Sequence, residues 1–501
     1  MKRGRRSPLG SGVVAAGLMV GACVACAAGV LVACAARVMV ACAAGVMVAC
    51  APGSEPSPEP APEPPAKNLL FISIDTLRAD HLSSYGYERR TTPFLDELAS
   101  EGTLFVDAIS PAAWTVPAHT TMMTGLDPRA HGILAYPKPG RLSDDATTLA
   151  ETLRAAGFRT AAFTGGGYMS RKHGLEQGFE VYNGRGLRFR SKFDRLLAWL
   201  EALAAEERFF VFLHGFDAHG PYKPPAPFDR EFVGDFEGTF DTREFSPDRE
   251  RVSDEVLEYV VSQYDGEIRA ADEILRGLLR KLRARGLLDD TLVVVTSDHG
   301  EELYEHGSIE HTHSLYDEVV RIPLIFHGPN IPAARVETQV GLVDLYPTLL
   351  ERLGVEAAQS VSGRALFAEF PPAPRPVFSF VEFREFPYRL DAVRTDEWKL
   401  IQWKLSGMAE VDWTGREDAR YTHRFRDRHE DFVELFDLTA DPEERVDVAE
   451  EHPQVVAQLL ELLAEHRANG AGVRLRSQKA LAPDDAYLEA LEALGYVSGD
   501  E

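Results

Sequence analysis

Asn68-Leu69-Leu70-Phe71-Ile72-Ser73-Ile74 is an almost unbroken apolar run that stops on Asp75. A strand with no polar face must be covered on both sides, and such strands belong to parallel sheets joined by helical crossovers. The pattern recurs at Phe209-Phe210-Val211-Phe212-Leu213, which runs into His214, and at Thr291-Leu292-Val293-Val294-Val295-Thr296, which runs into Ser297-Asp298-His299. Weaker strand signals fall at residues 160–163 and 322–326. Between the strands, the spacing predicts helices over 92–99, 149–156, 192–205 and 252–285, with an acidic, aromatic loop insertion over 224–251. Strands alternating with helices make βαβ units, so the expected fold class is α/β: a mainly parallel central sheet sandwiched by helices.

Beyond about residue 376 the texture changes. Short strands at 377–380, 388–394 and 398–402 follow one another without helices, then come 434–438 and a helix over 453–466. This reads as a smaller α+β subdomain with an antiparallel sheet. The expected organisation is therefore a catalytic domain over 67–375 and a C-terminal subdomain over 376–501.

The first 66 residues obey different rules. Lys2, Arg3, Arg5 and Arg6 precede a long Ala/Val/Cys-rich apolar run to about residue 50, broken by Arg37. A basic start followed by an apolar core is a secretory signal or a membrane anchor. Cys26, Cys34, Cys42 and Cys50 recur at a constant interval, as in expanded low-complexity sequence. Leu31-Val32-Ala33-Cys34 resembles a bacterial lipoprotein cleavage box, and Met47-Val48-Ala49-Cys50 is a looser match. Lipid attachment and an uncleaved anchor are both open. Either places the protein outside the cytoplasm, in the periplasm or at the cell surface, held to the membrane. Residues 51–66 are dominated by Pro and Glu and form an extended spacer.

Two bulk facts exclude function classes. The formal net charge is -25, which opposes the clustered cations that nucleic-acid binding requires. All five cysteines lie before residue 51, so the folded part has no disulfide, no Cys metal site and no Cys nucleophile.

Ligands in open α/β sheets bind at the carboxyl ends of the strands. Asp75, Asp217 with His219, and Asp298 with His299 all fall there, and His311 and His313 follow closely. Carboxylates beside imidazoles suit a divalent cation such as Zn or Mn. The remaining notable stretch is Ala113-Trp114-Thr115-Val116-Pro117-Ala118-His119. Pro117 biases Val116 towards extended geometry, and a helix starting near Pro117 would aim N–H groups at a bound anion beside the Thr115 hydroxyl.

Six ordered segments together resemble the sulfatase family of the alkaline phosphatase superfamily. They are Ile74-Asp75-Thr76-Leu77-Arg78, Trp114-Thr115-Val116-Pro117-Ala118-His119, Arg129-Ala130-His131-Gly132-Ile133, Asp217-Ala218-His219-Gly220-Pro221-Tyr222, Ser297-Asp298-His299-Gly300-Glu301, and Leu315-Tyr316-Asp317-Glu318 before Arg321-Ile322-Pro323. Leu435-Phe436-Asp437-Leu438 and Leu491-Glu492-Ala493-Leu494-Gly495-Tyr496 also match. The resemblance implies that Asp75, Thr115, Asp298 and His299 hold a divalent metal (Zn, Mn or Ca), with Thr115 also the nucleophile. It implies His219 or His311 as proton donor to the leaving group, and Arg78, His119, Asp217 and His313 as substrate contacts. The substrate would be a small anionic ester, a sulfated or phosphorylated glycan, lipid or small molecule. Two departures matter: Thr76 stands where a second Asp often follows, and Thr115 stands where sulfatases make formylglycine from Cys or Ser. Threonine oxidised that way gives a ketone, so the expectation tilts from sulfuryl towards phosphoryl transfer. A formylglycine-independent sulfatase and an inactive glycan-binding relative are the alternatives.

Overall fold

Every residue of β1 (Asn68–Ile74) is buried, and its alternate side chains enter two different cores. Leu69 and Phe71 pack with Met122, Leu149 and Leu345 on one face. Leu70, Ile72 and Ile74 pack with Leu95, Leu196 and Ile268 on the other. Those partners belong to helices, so the period-2 geometry of one strand builds a helix–sheet–helix sandwich. The computed structural model describes residues 65–238, 240, 253–383, 388–405, 430–470 and 475–496. The N-terminal segment 1–50, the spacer to residue 64 and much of the acidic insertion lie outside the described residues.

The other strands of the central sheet are β2 (Thr103–Ile109), β3 (Phe158–Phe163), β4 (Val181–Asn183), β5 (Arg208–Gly215), β6 (Thr291–Thr296), β7 (Arg321–His327), β8 (Ala334–Val336) and β9 (Val340–Gly341). Their order is β8-β2-β7-β6-β1-β5-β3-β4, with β9 also on β2. All pairings are parallel except those of β7, which runs against β2 and β6. The mainly parallel sheet is as the apolar runs require. β2 carries no apolar run of comparable length and escapes that reading. The register slips between Ile322 and Leu324, where Pro323 has no N–H to give the ladder.

The C-terminal sheet is an antiparallel meander of β10 (Val377–Phe383), β11 (Arg389–Arg394), β12 (Trp398–Lys404) and β13 (Phe432–Asp437), with Ala135–Tyr136 beside β10. The helix Pro453–Gly470 covers one of its faces through Leu459 and Leu463. No helix among the described residues is long and apolar enough to cross a membrane.

Adjacent parallel strands β6, β1 and β5 end at the same edge, with Ser73 opposite both Thr296 and His214. That edge is where Asp75, His219, Asp298 and His299 emerge.

Candidate active site

Asp75 follows β1 directly, and Asp298 and His299 leave β6 after one intervening residue. One ligand atom from each lies within 4.8 Å of the others. His299 Nε2 is 3.9 Å from Asp75 Oδ1 and 3.3 Å from Asp298 Oδ2, and all three side chains are fully buried. Asp75 Oδ1 and Asp298 Oδ2 accept no hydrogen bond. A buried, unpaired carboxylate oxygen is costly, and two facing each other raise the cost. Burial, then the charges of Asp298 and Glu301, push the Asp75 carboxyl well above its ordinary pKa. A cation removes that penalty. The histidine is already in the matching tautomer: His299 Nδ1 donates to the Gly300 carbonyl at 2.9 Å, which leaves the Nε2 lone pair for the cluster. Two hard oxygens and one imidazole fit a divalent ion.

Thr115 opens the helix Thr115–Thr124, with Trp114 extended as its N-cap. The helix therefore starts two residues before Pro117, and its positive end lies under the hydroxyl. Thr115 Oγ1 is 3.5 Å from His299 Nε2. The sequence-predicted group of Asp75, Thr115, Asp298 and His299 is thus one cluster in space. Thr76, standing where a second carboxylate was expected, takes φ 56°, a strained value for a β-branched residue. That turn aims its N–H at Asp298 Oδ1 (3.4 Å) while its hydroxyl donates to the Ala218 carbonyl (2.9 Å).

Two further histidines sit behind the cluster. His119 Nδ1 donates to the Thr115 carbonyl (2.9 Å) and its Nε2 meets Ser73 Oγ at 2.9 Å. Burial holds it below the usual histidine pKa despite Asp298. It braces the Thr115 turn. His214, which sequence reasoning passed over, places Nε2 3.0 Å from Asp75 Oδ2. Burial, then His119, hold it neutral, so it donates to the carboxylate. The signal that could have found it is its place at the end of the β5 apolar run.

His219 and His311 face each other across the site, their ring centroids 5.2 Å apart. His219 Nδ1 donates to the Gly220 carbonyl at 2.6 Å. His311 Nδ1 meets Glu301 Oε1 at 3.0 Å, and the His311 ring lies 4.4 Å from that of His299. Both Nε2 atoms are 2.9 Å from the hydroxyl of Tyr496, which also went unrecognised as a site residue. Burial lowers both imidazoles, His219 to about 4.

The other expected contacts point elsewhere. Arg78 forks onto Asp80 and also donates to Glu305 and to the Glu301 carbonyl. Asp217 accepts from the Phe189 N–H at 2.8 Å. Burial raises its pKa to about 6 against the pull of buried Lys192. His313 is 3.2 Å from Glu302 Oε1. Arg78, Asp217 and His313 are thus engaged by neighbours outside the Asp75–Asp298–His299 cluster.

Comparison with known proteins gives the following. The sulfatase family model matches residues 67–355, and a model of the C-terminal region of aryl-sulfatase matches residues 375–485. Arylsulfatase K of Bos taurus is 25% identical over 467 residues, spanning 79% of this chain and 80% of its own length. Among solved structures, one in complex with its substrate D-glucosamine-2-N,6-O-disulfate superposes with TM-score 0.64 at 20% identity, covering 81% of this chain and 98% of the other. The phosphonate monoester hydrolase of Agrobacterium radiobacter superposes equally, TM-score 0.64 at 20% identity, covering 81% and 96%. At that identity the structural likenesses carry the fold alone.

Proposed function

Because the chain belongs to the sulfatase family of ester hydrolases, we propose that it is a metal-dependent hydrolase, or transferase, of small anionic esters that uses Thr115 as nucleophile. The observation that carries this reading is the convergence of two hydrogen-bond-free buried carboxylate oxygens and one imidazole lone pair beside the Thr115 hydroxyl. Asp75, Asp298 and His299 would hold the ion, Zn, Mn or Ca. Bound there, a divalent cation supplies the positive charge that stabilises an oxyanion and offsets charge on the transferred group.

The chain's own residues do the rest. The helix N-terminus and the His119 brace fix the Thr115 hydroxyl at the cluster. Thr115 Oγ1 forms a bond to the phosphorus or sulfur of the ester and passes its proton to water, while the bond to the leaving oxygen breaks. The leaving oxygen takes a proton from the His219–His311 side and departs as an alcohol or phenol. Water then cleaves the threonine ester, returning the hydroxyl and releasing phosphate, sulfate or, from a phosphonate ester, the free phosphonate. Since Thr115 cannot give formylglycine, a phosphoryl or phosphonyl substrate is the preferred reading. The arylsulfatase relatives support a sulfuric ester as the second reading. The N-terminal sequence supports a membrane-held enzyme outside the cytoplasm.

A panel of nitrophenyl phosphate, phosphodiester, phosphonate and sulfate esters, each with Zn, Mn and Ca, tests this. Turnover of at least one ester with a stoichiometric ion is expected, and Thr115→Ala should reduce it by about 10³-fold or more. An ion-free protein that binds sulfated glycans without turnover would make it an inactive relative, and full activity in Thr115→Ala would remove the nucleophile assignment.

A further inference from the structure

Thr115 cannot be reached as the chain stands. Thr115, Asp75, Asp298 and His299 are each 0% exposed, and His311 and His219 only 3% and 6%. A hydrolase of external esters has to open at some point of its wall. Tyr496 marks that point. Its hydroxyl is 2.9 Å from both His219 Nε2 and His311 Nε2, although 277 and 185 residues separate it from them. The other ring nitrogens are already taken, His219 Nδ1 by the Gly220 carbonyl and His311 Nδ1 by Glu301 Oε1. An imidazole has no further hydrogen-bonding atom, so neither ring can meet a leaving oxygen until the phenol withdraws. This holds whichever atoms carry the protons.

The segment that delivers Tyr496 is lightly held. The Leu475 N–H on the Ala130 carbonyl and the reciprocal pair of Arg141 and Gln478 fix the start of a strap over residues 475–496. Beyond Gln478, among the described residues, every backbone hydrogen bond of the strap stays within it. Residues 481–486 are exposed. The helix Asp485–Ala493 has nine residues, too few to persist undocked. Tyr487, Leu491 and Leu494 dock it, while Leu481 and Leu488 stay 53% and 46% exposed. At its end the Gly495 N–H meets the Glu492 carbonyl and the Tyr496 N–H the Leu491 carbonyl, with Gly495 at φ 81°. This Schellman turn carries the Tyr496 ring edge-on against Tyr168 at 5.0 Å. The loops bearing His219 and His311 are held differently, by bonds to the cluster's own segments. The Thr76 hydroxyl donates to the Ala218 carbonyl at 2.9 Å, and the Thr312 N–H to the Ala113 carbonyl at 3.0 Å. Of the pieces that close the site, the strap has least to break. Resting on the hydrolase reading above, we propose that residues 475–496 are the gate of the site, with Tyr496 standing in the leaving-group subsite until substrate displaces it. Lids are drawn from such weakly held segments.

Phenol is the probe, because it reproduces the Tyr496 side chain. Hydrogen exchange of wild-type protein loaded with Zn is compared with and without phenol. Amides of residues 485–496 should exchange about 10-fold faster with phenol, those of β1 and β6 should not change, and ethanol should do nothing. Unchanged exchange in the strap would make Tyr496 a fixed wall and overturn the proposal. Tyr496→Ala removes the competing side chain and should bind phenol about 10-fold more tightly than wild type in equilibrium dialysis. Equal affinity overturns the proposal. So does tighter binding without strap release in the wild type, since the variant's hole alone then holds the phenol. On the nitrophenyl ester of whichever anion is cleaved, kcat/KM should rise about 10-fold in Tyr496→Ala; a loss would make Tyr496 part of the working site and overturn the gate. A wild type that cleaves no ester would defeat the hydrolase reading, while the exchange experiment would still decide whether the strap opens.

Discussion

Asp75 offers its two carboxylate oxygens to different partners. Oδ2 is taken by His214 Nε2 at 3.0 Å, and Oδ1 has no hydrogen bond. The histidine thus fixes which oxygen, and which lone-pair direction, remains for an ion. Outer partners of this kind commonly contribute about 10–100-fold to metal affinity. His214→Ala should weaken Zn or Mn binding by that factor in a chelator competition, with the fold retained by circular dichroism. Unchanged affinity would show that burial alone orients Asp75. The site residues were legible to unequal degrees for a physical reason. Asp75, Asp298 and His299 follow apolar runs that can only be buried strands, so their place at the sheet edge follows from the chain. Direction beyond the edge does not: Arg78 stands close in sequence to Asp75, and His313 to His311, yet they turn to Asp80 and Glu302. Tyr496 was beyond reach, because no local pattern ties a tail residue to histidines so far away in sequence.

At the scale of elements, the least legible strand is β2. Asp107 interrupts its apolar alternation, and its partners lie on other strands: Arg321 Nε donates to Asp107 Oδ1 at 2.6 Å, and Arg394 stands 3.5 Å from Oδ2. Nor does any loop separate β2 from the helix Pro93–Glu101; Gly102 alone makes the junction. A Cβ on Gly102 would stand 2.0 Å from the Phe326 carbonyl oxygen on β7 and 3.0 Å from that of Leu98. Backbone cannot give way as a side chain can. Gly102→Ala should therefore cost about 2–3 kcal/mol or more in urea unfolding, as the sheet and helix separate. Gly277 supplies the contrast. It is exposed within the helix Asp254–Arg283, and a Cβ there meets nothing within 4 Å. Gly277→Ala should raise stability by about 0.5–1 kcal/mol. Equal effects of the two substitutions would mean that contact across β7 does not decide the junction.

At the scale of the whole described fold, the two sheets are joined by polar bonds, and one of them carries a titratable switch. Asp317, just before β7, receives Lys399 at 2.7 Å and Arg394 at 3.0 Å from the C-terminal sheet. Those cations outweigh burial and hold its carboxyl well below the ordinary range, so this joint is insensitive to pH near neutrality. His306 behaves differently. Its Nδ1 meets Glu318 Oε1 at 2.5 Å, its Nε2 meets the Glu444 carbonyl at 2.9 Å, and its ring stacks on Tyr316 at 3.7 Å. Both nitrogens face acceptors, so the geometry asks for the imidazolium. Burial opposes the charge, but Glu318, the Glu444 carbonyl and Glu302 outweigh it and raise the pKa above 6.5. A base whose folded pKa is raised contributes stability that is complete below its unfolded pKa and is lost as pH rises through the folded value. His306→Gln should therefore cost most near pH 6, about 1–3 kcal/mol for hydrogen bonds made by a charged group, and progressively less towards pH 9. Comparing urea midpoints of wild type and variant across that range cancels the titration of Asp75 and the other buried groups, which both proteins share. A difference that stays constant with pH would show that His306 joins the sheets as a neutral ring, through its stacking on Tyr316.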